Sequence, residues 1–247
     1  MIRLSNICFS YDKDLVVDNL SFNVPSGEIL SIVGPSGCGK STLLLLIAGL
    51  LRPQSGEVAI SKDERESLAA LRFLFQDYDA FPWQTTWGNV KYSASKGSYP
   101  SNREVKEMLT GVGLLDSQEK YPGELSGGMR KRLALARCLV TKPAVLLLDE
   151  PFSKLDVDTR YDMYSLLQKL WLSLHQTIVL VTHDLHEAIL LGSRILVATS
   201  LPFRVRTFIE VPFEYPRNDS LEGSPEYVEI STTLRDALRL GELRSVR

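Results

Sequence analysis

The sequence predicts an α/β protein with a largely parallel core sheet, an added antiparallel sheet and an inserted helical segment. Three observations predict it. Strand-like and helix-like stretches alternate at both ends of the chain. Two short stretches, 144–148 and 177–181, are continuously apolar, as strands buried on both faces are. A glycine-rich loop joins an apolar strand at 28–33 to a leucine-rich stretch.

The elements follow in order. Residues 2–10 and 16–24 alternate loosely between apolar and polar, which predicts half-buried strands. Pro25-Ser26-Gly27 ends the second as a turn. Residues 41–50 predict a buried helix, and 56–60 and 72–75 predict short strands. The middle reads as helical, over 86–95, 101–112 and 127–140, with Ser101 and Glu104 spaced as a capping box. After the strand at 144–148 comes a helix over 157–174, then the strand at 177–181. Asp184 is placed to cap a helix, and 194–199 reads as a strand. The prolines of 201–247 suggest an appendix with one short amphipathic helix at 227–240. The expected organisation is one domain. A core is formed by 1–85 and 140–200, a helical subdomain by 86–139, and an appendix by 201–247.

Composition narrows the function. The chain has 247 residues, 28 basic against 30 acidic side chains, and a net charge of −2. With 44% hydrophobic and 23% charged residues, it is a folded globular chain rather than a disordered or fibrous one. The balanced charge argues against a dedicated duplex-DNA binder. Three scattered cysteines, an odd number with no C-x-x-C pair, support neither a disulfide framework nor a zinc site. The longest apolar run, 43–51, is about half of the roughly 20 residues that a membrane span needs. The start of the chain lacks the apolar core of a signal peptide. These features lead us to expect a soluble, cytosolic protein.

Gly34-Pro35-Ser36-Gly37-Cys38-Gly39-Lys40-Ser41-Thr42 matches G-x-x-x-x-G-K-[ST]. Its glycines let the backbone turn tightly and aim N–H groups at phosphate oxygens. Lys40 adds positive charge for the β- and γ-phosphates, and Ser41 can place its hydroxyl on Mg²⁺. The helix that follows contributes its positive end. The glycine spacing differs from the dinucleotide fingerprint. Cys38 reads as a space-filling residue, whose thiolate the helix end favours and alkylation can reach.

The strand at 145–148 ends in Asp149 and Glu150. The carboxyl ends of such strands face the crevice where ligands bind in α/β sheets. Asp149 is placed for the Mg²⁺ shell, and Glu150 to polarise a water for attack on the γ-phosphate. Ser126-Gly127-Gly128 opens a helix and supplies a second anion-binding start. Two cradles on one chain suit two chains facing head to tail, each completing the other's site. His183 and His186 stand three apart, but no third ligand supports a zinc site.

Together these motifs resemble the ATP-binding-cassette (ABC) ATPases, over almost the whole chain. The resemblance implies a P-loop NTPase (RecA-like) core that hydrolyses ATP with Mg²⁺. Leu125–Met129 resembles the family signature, with Met129 in place of the usual glutamine. Gln76 matches the Q-loop glutamine that contacts Mg²⁺ and water. Ser153–Asp156 resembles the D-loop, with Lys154 for the usual alanine, and puts Asp156 near the nucleotide. His183 resembles the switch histidine that contacts the γ-phosphate. Tyr11 stands where an aromatic stacks on adenine, with Phe9 as a competitor.

Met129, the Phe81-Pro82-Trp83 step and the tail around Pro212 and Pro225 are similar to the nitrate, sulfonate and taurine importer branch. Phe81, Trp83 and Trp87 either pack the helical insertion's own core or line a groove for a membrane subunit. The resemblance implies a head-to-tail homodimer at the cytoplasmic face of the membrane. It would be bound to an integral permease and served by an extracytoplasmic solute-binding protein, with no nucleic-acid partner. Alternatives are a soluble ABC ATPase acting on nucleic acid or ribosomes, and an exporter cassette.

Overall fold

The computed structural model describes residues 1–60, 71–76, 80–93 and 99–242. The chain forms two compact units, Met1–Glu64 with Thr177–Arg247, and Arg65–Gln176. The expected boundaries at 86 and 139 fall inside the second unit.

The first unit begins with an antiparallel sheet. Strand β1 (Ile2–Tyr11) pairs with β2 (Asp14–Val24) on one side and β4 (Ser55–Ile60) on the other. The loose alternation of the sequence becomes a sheet with one buried face, carried by Ile2, Leu4, Ile7 and Phe9. The parallel sheet is built on β3 (Ile29–Val33), buried at every position. Strand β7 (Thr177–Val181) lies along one edge of β3 and β8 (Arg194–Ala198) along the other, both parallel. Helix α1 (Lys40–Ile47) follows β3 and buries Leu43, Leu44, Leu46 and Ile47. It stops before the expected 50, because Gly49 turns into the left-handed region at φ 71. Helix α6 (Leu185–Leu191) is capped as expected: Asp184 accepts the N–H groups of His186 and Glu187.

The C-terminal stretch corrects the expected appendix. Strand β9 (Val205–Glu210) pairs antiparallel with β8, from Arg194 opposite Glu210 to Ala198 opposite Val205. Helix α7 (Pro225–Glu242) brings Ile230 and Leu234 into a cluster with Val33, Ile189, Ile195 and Val197. Between them, the buried Arg217 guanidinium donates to the carbonyls of Ile189, Gly192, Val211 and Phe213, at 2.6–3.2 Å. This stretch is part of the first unit's core.

In the second unit, β5 (Leu71–Leu74) runs parallel to β6 (Val145–Asp149). Helices α2 (Thr86–Lys91), α3 (Asn102–Gly111), α4 (Gly127–Leu139) and α5 (Val157–Leu174) complete it. The Ser101–Glu104 capping box forms in both directions. Val90, Val105, Leu109, Leu125, Leu133 and Ala136 make a common core for α2, α3 and α4. Residues 94 and 95 of the helix expected at 86–95 lie outside the described residues, as do 77–79 of the aromatic segment. No helix among the described residues is long and apolar enough to cross a membrane.

Candidate functional site

In the first unit the phosphate loop leaves the end of β3. Gly37 and Gly39 take φ of 73° and 104°, a region that side chains avoid. A Cβ on Gly39 would stand 2.9 Å from Val16 Cγ1, so close approach also requires glycine there. Gly39 is the N-cap of α1, and no side chain caps that helix. The first N–H groups of α1 therefore point out of its end without an intrahelical acceptor. Lys40 is buried, and its Nζ donates to the carbonyls of Gly34 and Pro35 at 2.9 and 2.8 Å. These bonds hold the ammonium over the loop. Ser36 and Ser41 are exposed, whereas Thr42 faces inward.

Cys38 corrects one expectation. Its side chain is 1% exposed, and burial pushes the thiol up despite Lys40 nearby. Desolvation outweighs the helix end, and the thiol form is favoured.

Exposure separates the two adenine candidates. Phe9 is buried at 7%, while Tyr11 is 46% exposed. Their rings meet edge-on at 4.9 Å, so Phe9 braces the Tyr11 ring. His183 is exposed just beyond β7. His186 is committed elsewhere: its Nδ1 lies 2.7 Å from the Tyr227 hydroxyl and 3.1 Å from Glu222 Oε1. Among the described residues no group of three His, Cys, Asp or Glu is arranged to hold a metal.

In the second unit Asp149 closes β6 and is buried. Glu150 follows at φ 45, and Ser153 fixes that turn by donating its N–H and hydroxyl to the Glu150 carbonyl. Gln76 Nε2 donates to Glu150 Oε2 at 3.2 Å, so these two expected site residues meet. Ser126 caps α4 by accepting the Met129 N–H at 3.3 Å. Gly127 and Gly128 differ. A Cβ on Gly127 would meet nothing within 4 Å, while one on Gly128 would lie 2.5 Å from Thr159 Cγ2. Gly127 leaves open space, and Gly128 lets α4 approach α5. Asp156 caps α5 through the Thr159 N–H at 3.0 Å, which holds its carboxyl below the usual range. Met129 packs against the helical core, where its thioether replaces an amide without leaving polar atoms unmet.

The three aromatics divide. Trp87 packs on the helical core, whereas Trp83 is 69% exposed and stacks on Phe81 at 5.3 Å.

The ABC transporter family profile matches residues 17–153. This chain belongs to the ABC transporter family. It is similar to an aliphatic sulfonates import ATP-binding protein of Mesorhizobium japonicum, at 39% identity over 92% of this chain and 84% of that one. It is also similar to an uncharacterized ABC transporter ATP-binding protein of Methanocaldococcus jannaschii, at 35% identity over 97% of this chain and 90% of that one. Among solved structures it is similar to a dimeric ATP-binding cassette in a post-hydrolysis state bound to ADP and Pi. That match has a TM-score of 0.71 and 30% identity, covering 87% of this chain and all of the other. The expected fold is thus the observed one, and the protein is an ATPase that binds ATP with Mg²⁺ as its usual partner. The residues fit that pair. The uncapped α1 end and the Lys40 ammonium suit phosphate oxygens. In the first unit the Ser41 hydroxyl is a hard oxygen donor of the kind that Mg²⁺ takes, and in the second unit the Asp149 carboxylate is another.

Proposed function

We propose that this ATPase is the nucleotide-binding subunit of an importer for small anionic solutes of the sulfonate class. It works as a head-to-tail homodimer on the cytoplasmic face of a membrane. An integral permease supplies the passage, and an extracytoplasmic solute-binding protein supplies the cargo. The similarity to the sulfonate-import relative supports this reading. The observation that carries it is Trp83, an exposed tryptophan stacked on Phe81 and fit to anchor a partner.

The residues take these roles. Tyr11 stacks on the adenine. The loop Gly34, Pro35, Ser36, Gly37, Cys38 and Gly39, with Lys40 and Thr42, holds the phosphates of one ATP. Ser126, Gly127 and Gly128 of the opposite copy close on the γ-phosphate, and Asp156 borders the same nucleotide. Ser41, Asp149 and Gln76 hold Mg²⁺, which when bound neutralises phosphate charge. Glu150 accepts a proton from the attacking water as its oxygen bonds to the γ-phosphorus. The bond to the ADP oxygen breaks, and His183 steadies the phosphoryl oxygens.

Two measurements test this. Glu150→Gln should lower turnover by about 100- to 10,000-fold and leave ATP binding intact. Phosphate release near the wild-type rate removes Glu150 from its role. In the reconstituted transporter, a sulfonate-loaded binding protein should stimulate ATP hydrolysis. Stimulation by a neutral solute alone overturns the cargo class.

A further inference from the structure

Helix α4 does more than present Ser126. Two of its basic side chains reach Gln76 and Phe81. Lys131 Nζ donates to the main-chain carbonyl of Gln76 at 3.0 Å. The Gln76 amide in turn donates to Glu150 at 3.2 Å. Further along the same helix, the Arg137 guanidinium lies 4.1 Å over the Phe81 ring. Phe81 stacks on the exposed Trp83. Arg137 is buried, so its cation–π contact is shielded from water and strengthened by it. The helix therefore touches both the residue beside the hydrolytic carboxylate and the aromatic step at the surface.

Gln76 is itself exposed, and its amide can orient Glu150 only if its own backbone is held. Lys131 supplies a hold from a helix that is anchored in the core through Leu133 and Ala136. The bond is made to a main-chain oxygen. It restrains the path of the chain and leaves the Gln76 side chain to face Glu150.

We propose that Lys131 is a positioning residue for ATP hydrolysis. It sets the Gln76 backbone so that the amide holds the Glu150 carboxylate. The Arg137–Phe81 contact ties the same helix to the exposed aromatic step, so that a partner seated on Trp83 acts on Glu150 through α4. This rests on the roles given above to Glu150 and Trp83.

The Lys131 arm is read on the full chain alone. Lys131→Met keeps most of the stem and removes the donor. We expect kcat to fall roughly 3- to 30-fold, with KM for ATP and the unfolding midpoint unchanged, and Lys131→Arg to restore it. A kcat for Lys131→Met within twofold of wild type, or a fall that Lys131→Arg does not repair, overturns the positioning role. The aromatic arm is read as permease stimulation in the assembled complex. Phe81→Leu and Phe81→Leu with Arg137→Met should lose the same share of stimulation, and Phe81→Tyr should keep it. Additive losses overturn the coupling. If Trp83→Ala leaves assembly and stimulation intact, the docking reading fails instead, and the turnover of Lys131→Met in the isolated chain still decides the positioning role.

Discussion

Helices α1 and α4 both begin at a glycine-rich turn, yet they are finished differently. At α1 the N-cap is Gly39, no side chain closes the helix end, and a buried lysine is bonded over the loop. At α4 the N-cap is Ser126, whose hydroxyl already accepts a helix N–H from Met129, and the first-turn cation, Arg130, is exposed, with its guanidinium donating to the Leu125 carbonyl at 2.7 Å. The first end leaves all its donors for a ligand and fixes a charge beside them. The second has spent one donor on its own closure and stays exposed. On the function proposed above, α1 is the stronger anion site and α4 the weaker, which gains by meeting a phosphate that is already held.

The sharpest way to break this contrast is to remove the charge from α1. Lys40→Met should weaken ATP binding roughly 10- to 100-fold, as measured by titration calorimetry. A smaller loss would make the two ends equivalent. The glycines give the next effect. Gly39→Ala meets both left-handed strain and Val16, and should cost about 1–3 kcal/mol in denaturant unfolding. Gly128→Ala should cost a similar amount, about 1–3 kcal/mol, through its clash with Thr159, and Thr159→Ser should return part of it. If Thr159→Ser returns nothing, Gly128 serves the ligand rather than the packing of α5. Ser126→Ala should remove about 1 kcal/mol of stability, seen in the unfolding of α4. The smallest effect is chemical. Cys38 should react with iodoacetamide more slowly than a free thiol at pH 8. Because burial raises its pKa, its rate should begin to climb only at higher pH than that of a free thiol.

Much of this was legible from local chemistry. The apolar strands β3, β6 and β7, the Ser101 box, the Asp184 cap and the phosphate loop each follow from residues close in sequence. What was not legible depended on distant neighbours. Strand β9 has no fully buried residue and lies between Pro202 and Pro212, so its alternation is weak. That Phe9 is buried and Tyr11 exposed depends on which ring the sheet covers. Cys38 was misjudged because a helix end is visible in sequence, while the burial of the thiol is not. The division among Phe81, Trp83 and Trp87 needed the helical core to be assembled. The bonds of Lys131 and Arg137 had no signal at all, since basic residues on a helix usually face water.

The Arg217 clamp has a practical consequence for anyone seeking a minimal fragment. The family profile ends at residue 153, and the phosphate loop, Glu150 and His183 all precede residue 200. A truncation at that point would look harmless on a motif map. It would strip β9 from β8, uncover Ile195 and Val197, and leave the carbonyls of Ile189 and Gly192 without the guanidinium that binds them. It would also free His186, three residues after His183, from Tyr227 and Glu222. A fragment that keeps these contacts must run at least through Leu234, so a protease nick between β8 and Leu234 should be felt at both ends of α6.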